Sequence, residues 1–122
     1  MSLKRKYPIV DAPSILGLRP TGVELLPETF RRAGLIERLG AEYCGEVTPS
    51  AAYDSNRDRT TKLLNPKAIR DYSIRLADSI KLLLHDNKFP IVLGGDCSIL
   101  IGNVLALRHL GRYGLFFIDG HA

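Results

Sequence analysis

Apolar residues fall along this chain in short blocks of two kinds. The runs Tyr7–Val10, Pro90–Leu93 and Tyr113–Ile118 are continuous, as in strands buried on both faces. Ala41–Val47, with Cys44 inside it, predicts a further strand. Between these lie stretches with helical spacing. Pro27 with Glu24 and Glu28 nearby predicts a helix start. Phe30, Ala33 and Ile36–Leu39 continue its apolar face, and Gly34 bends or breaks it. Asn65-Pro66 opens the clearest helix, with Asn65 as cap and Ile69, Tyr72, Leu76, Ile80, Leu83 and Leu84 as its stripe. That helix is expected to end over residues 85–88. A last helix runs from Ser98 to Leu110 and stops at Gly111. Thr48–Asn65 is polar and patternless, a long loop of the kind often used for function.

The resulting order is strand, helix, strand, helix, strand, helix, strand. Such alternation predicts an α/β fold with a largely parallel sheet and right-handed crossovers. At 122 residues the chain is one domain at most. No internal repeat or low-complexity segment is visible.

Composition narrows the functional classes. Hydrophobic content of 45% and charged content of 25% are those of a soluble globular protein. The 17 basic and 13 acidic side chains give a charge of only +4, with no basic block of five or more, so nucleic acid is not an expected partner. No apolar run is long enough for a membrane span. Two widely separated cysteines, Cys44 and Cys97, do not make a disulfide framework and fit a reducing cytoplasm. Cys44 is expected in the core.

Two polar clusters fall just past predicted strands, where functional groups of parallel α/β sheets gather. One is Gly94-Gly95-Asp96-Cys97-Ser98. Its glycines permit a sharp turn and close backbone approach, and Asp96 or Ser98 can cap the next helix. The other is Asp119-Gly120-His121. Alternate residues of an extended segment point the same way, so this carboxylate and imidazole can converge on one cation. Oxygen and nitrogen ligands suit manganese, zinc or iron(II). Taken alone, Asp-x-His is more often a capping aspartate beside a surface histidine. No dinucleotide or P-loop motif is present.

Together the clusters resemble those of the ureohydrolases: arginases, agmatinases and formiminoglutamases. That family's pattern is Gly-Gly-Asp-His-Ser, then Asp-x-His-x-Asp after the next strand. Gly22-Val23-Glu24, Pro27, Arg31 and Ala33-Gly34-Leu35 resemble an arginase stretch, and Asn65-Pro66 matches the start of the family's next helix. The resemblance implies a three-layer α-β-α fold with a mainly parallel sheet, here truncated to about its first four strands. Residues 1–122 would be the N-terminal part of that single domain, with the remainder absent. It implies metal-dependent hydrolysis of a C–N bond in a guanidino or amidino substrate, releasing urea, by the intact protein. Two manganese ions are implied, with Asp119 and His121 as ligands, in a cytoplasmic protein that is a homo-oligomer. The family's next aspartate, two residues after His121, lies beyond this sequence. A chain with only four strands would leave sheet edges bare, so the 122-residue chain is expected to be inactive alone and to self-associate.

The sequence also departs from that pattern. Cys97 stands where the family has a metal-binding histidine. Three readings stand: a softer ligand, a buried small side chain leaving a one-metal or weakened site, and a reactive thiol at a helix N-terminus. The second is narrowly favoured. Leu26 and Asp11 each replace a usual glycine, and both read as structural variation. Two other functions remain open: a metal-free hydrolase with Cys97 as nucleophile and His121 as base, and a non-catalytic pseudoenzyme of the same fold.

Overall fold

A computed structural model describes residues 5–84 and 88–120. Strand β1 (Pro8–Ala12) is followed by a short 3-10 turn (Val23–Leu25) and helices α1 (Leu26–Arg32) and α2 (Leu35–Leu39). Strand β2 (Glu42–Glu46), helix α3 (Pro66–Lys81), strand β3 (Ile91–Gly94) and helix α4 (Ile99–Leu110) complete the elements. The helix expected from Pro27 divides at Gly34, whose φ of +84° is a left-handed conformation glycine adopts without strain. The α3 helix ends at Lys81. Most of the expected stop, residues 85–87, lies outside the described residues.

The three strands form one parallel sheet in the order β2-β1-β3. β1 is central and buried on both faces along its whole length, as its continuous apolar run requires. β2 is an edge strand with mostly exposed side chains. Cys44 is therefore exposed, not in the core as expected, because the outer strand has cover on neither face there.

Val10 and Ala12 of β1 pack against Tyr72, Leu76, Ala77 and Ile80 of α3 and Ala106 of α4. The predicted α3 stripe is the buried one, with Ile69, Leu83 and Leu84 half-buried around it. The Tyr72 hydroxyl donates to the Val47 carbonyl at 2.6 Å, and Arg75 Nη1 donates to Thr48 O at 3.0 Å. These bonds fasten α3 to the chain leaving β2. Burial raises the Tyr72 pKa, and the hydroxyl stays protonated as a donor.

The fourth predicted strand is not formed. Residues 111–120 carry no regular structure, and Phe116 and Ile118 are 89% and 83% exposed. A strand apolar on both faces is stable only with a hydrogen-bonded neighbour and with layers above and below. The described residues supply neither to this segment. Tyr113 at its start shares a cleft with Phe89, Pro90 and Val92 near the beginning of β3. No helix among the described residues is long and apolar enough to cross a membrane.

Helices α3 and α4 touch most closely at Gly102. A Cβ there would lie 2.9 Å from the Ser73 carbonyl oxygen and 3.0 Å from Leu76 Cβ. Gly102→Ala is expected to destabilise the chain by about 1–3 kcal/mol, because the overlap outweighs the gain in helix propensity. Urea denaturation checks this, and an unchanged or raised midpoint would refute the close contact.

Candidate active site

The C-terminal ends of β1 and β3 lie side by side, since Ala12 pairs with Gly94. Each strand then enters a loop, residues 13–18 after β1 and 95–98 after β3. Gly95 makes their contact possible. It has a φ of +104°, and a Cβ on it would lie 2.6 Å from both Ala12 O and Ser14 O. No other residue fits there.

Asp96 joins the two loops. Its N–H donates to Ser14 O at 2.8 Å, and its Oδ2 accepts from the Gly17 N–H at 2.7 Å. Its Oδ1 accepts from the Ser98 N–H at 2.8 Å and from the Ser98 hydroxyl. Asp96 is buried, so these donors replace the water its carboxylate has lost. Of the two candidate caps, Ser98 occupies the N-cap position of α4 without a side-chain cap bond, and Asp96 holds its N–H and hydroxyl.

A second clamp comes from Asn65, which has left-handed backbone angles and no capping bond of its own. Its amide instead reaches sideways. Nδ2 donates to Leu16 O at 2.9 Å and to Asp54 O at 3.0 Å, while Oδ1 accepts from the Asp54 N–H at 2.8 Å. The post-β1 loop is thus held from one side by Asp96 and from the other by Asn65. The residue pair Asn65-Pro66 marked a helix start in the sequence, but carried no sign of this cross-loop role.

On the opposite face of the sheet, Asp11 is fully buried. Its Oδ2 accepts from Arg31 Nε at 2.8 Å and from the Tyr43 hydroxyl at 3.3 Å. The Arg31 guanidinium also lies over the Tyr43 ring, 4.9 Å from its centroid. Burial alone would lower the Arg31 pKa, but the hydrogen bond and charge of Asp11 raise it overall. Burial, then the Asp11 charge, raises that of Tyr43. Asp11 is therefore part of a charged cluster. Asp11 and its two partners come from three separate elements, which no local sequence pattern connects.

Cys97 sits at the tip of the β3–α4 turn and is exposed. The favoured expectation of a buried side chain does not hold, because its neighbours Asp96 and Ser98 turn inward and leave it outward. Asp119 follows the irregular, exposed 111–118 segment, not a strand tip. His121 lies outside the described residues. Among the described residues, no group of three or more histidine, cysteine, aspartate or glutamate side chains could hold a metal ion. They do not fit a pair of manganese ions by themselves.

Comparison with known proteins places this arrangement. A profile of the arginase family matches residues 7–122. The arginase of Staphylococcus aureus (strain MRSA252) is 34% identical over 128 residues, covering 99% of this chain and 42% of its own length. The arginase of Bacillus caldovelox is 33% identical over 119 residues, covering 93% and 40%. The solved structure of Bacillus caldovelox arginase superposes with a TM-score of 0.74 at 32% identity, over 86% of this chain and 37% of the other. Entamoeba histolytica arginase, solved with L-ornithine, shares the fold with a TM-score of 0.75 at 21% identity, over 89% and 38%. The chain thus spans about two fifths of the length of the curated relatives it matches.

Asp96→Ala is expected to cost about 2–4 kcal/mol, since it leaves the Gly17 and Ser98 N–H groups without their acceptor. A loss below about 0.5 kcal/mol in chemical denaturation would show that the carboxylate does not hold the loops.

Proposed function

This chain belongs to the arginase family, and on that footing we propose that the intact protein hydrolyses a C–N bond of a guanidino or amidino compound. An arginine-like substrate and urea release fit best. Water adds to the guanidinium carbon, the substituted nitrogen leaves as an amine carrying the proton, and urea remains. The observation that carries the reading is the family match over residues 7–122, which includes both polar clusters.

The chain's own contribution is a preformed frame. Gly95 and Asp96 fix the β3–α4 turn against the post-β1 loop, and so hold the position of residue 97 at the strand ends. We further propose that the reaction is metal-dependent, with manganese as the ion and Asp119 and His121 as ligands. Cys97 weakens that site, because a thiolate is a softer donor than the usual imidazole and favours zinc or iron. The cytoplasm is the proposed setting, consistent with free thiols at Cys44 and Cys97.

Urea release by the intact gene product, with arginine and agmatine as substrates, tests the assignment. It is expected to require added manganese, to be blocked by chelators, and to fall roughly a hundredfold or more in Asp119→Asn. Activity that survives chelation but is lost to iodoacetamide would point to Cys97 as nucleophile instead. The 122-residue chain alone is expected to release no urea.

A homo-oligomer is also proposed. Tyr113, Leu115, Phe116, Phe117 and Ile118 are all exposed, and β2 and β3 each lie at an edge of the sheet. Such surfaces favour association. Sedimentation of the 122-residue chain should show species larger than a monomer, and a single monomeric boundary at micromolar concentration would oppose this.

A further inference from the structure

The first half of α3, the start of α4 and the 57–64 segment enclose a cleft of about 470 Å³. Its walls are largely apolar, from Leu64, Ile69 and Ile101 among others. Two cations line it, Arg57 and Arg70, and among the described residues no carboxylate does.

Both arginines are held in place. Arg57 Nη1 donates to Lys62 O at 2.8 Å. Arg70 pairs with Asp71, with Nε and Nη2 each 2.8 Å from Oδ1. A guanidinium has five N–H donors, so these bonds leave capacity on each for a further acceptor.

Ser73 supplies an independent sign of a ligand. It also lines the cleft and is 2% exposed, yet its Oγ has no hydrogen-bond partner. A serine within a helix ordinarily satisfies its hydroxyl on the carbonyl four residues back. Ser79 in the same helix does so, donating to Arg75 O at 3.1 Å. A buried hydroxyl left without a partner is costly, and it stands ready for a polar group entering the cleft.

We propose that this cleft binds a small organic carboxylate with a short branched apolar body. The carboxylate meets Arg57 and Arg70, and one of its oxygens accepts the Ser73 hydroxyl. The apolar body lies against Leu64, Ile69 and Ile101. Guanidinium groups suit carboxylates because their donors match the two oxygens in geometry and charge. The mixture of apolar walls and a few converging polar groups is that of small-molecule sites in general.

The probe is isovalerate, titrated into the 122-residue chain while backbone amide signals are followed by NMR. Isovaleramide, the neutral molecule of nearly the same shape, is the control. Saturable shifts are expected at Gly17, Ile69, Ser73 and Ile101, with the amide binding at least about tenfold more weakly. The exposed pair of changes Arg57→Gln and Arg70→Gln should weaken isovalerate by a similar factor without unfolding the chain. The proposal is overturned if the shifts fail to saturate, if the amide binds as well as the acid, or if the double variant binds isovalerate unchanged.

Discussion

The structure turns on one buried carboxylate. Asp96 receives the N–H groups of Gly17 and Ser98 and the hydroxyl of Ser98, and so ties the loop after β1 to the turn after β3. The tie is possible only because β1 and β3 are parallel neighbours whose ends emerge together. It also requires Gly95, since any side chain there would overlap the carbonyls of Ala12 and Ser14. Sheet register, glycine turn and carboxylate are thus one device. Removing any of them loosens the region where an α/β enzyme of this architecture places its chemistry.

Much of this was legible in the sequence. Continuous apolar runs identified β1 and β3, and the stripe from Ile69 to Leu84 identified the buried face of α3, because both depend on local periodicity alone. Gly34 signalled the break between α1 and α2. The Gly94–Ser98 cluster drew attention for the right reason, close backbone approach at a strand end. Less visible were features that depend on distant partners. Asn65 has the sequence position of a cap, yet its side chain holds Leu16 and Asp54. Asp11 looks in sequence like a tolerated replacement for glycine, yet it is fully buried against Arg31 and Tyr43.

The run Tyr113–Ile118 shows the limit of such reading most clearly. Its pattern is that of a strand, but a pattern states what a segment would bury, not whether neighbours exist to cover it. In the described residues it stands exposed beyond α4. The same limit applies to Cys44, whose strand lies at the edge of the sheet, and to Cys97, which faces outward while Asp96 and Ser98 turn in. The turn bearing residue 97 is tightly held, while the segment leading to Asp119 is irregular. The Bacillus caldovelox arginase structure shares the fold over 37% of its own chain.

Amide hydrogen exchange at Gly17 and Ser98 tests the central claim most directly. Both amides lie in loops, where exchange is ordinarily fast. If the Asp96 carboxylate locks the two strand ends together, both should exchange as slowly as the amides of β1, and both should become fast in Asp96→Ala. Rapid exchange at these positions in the unaltered chain would contradict the account.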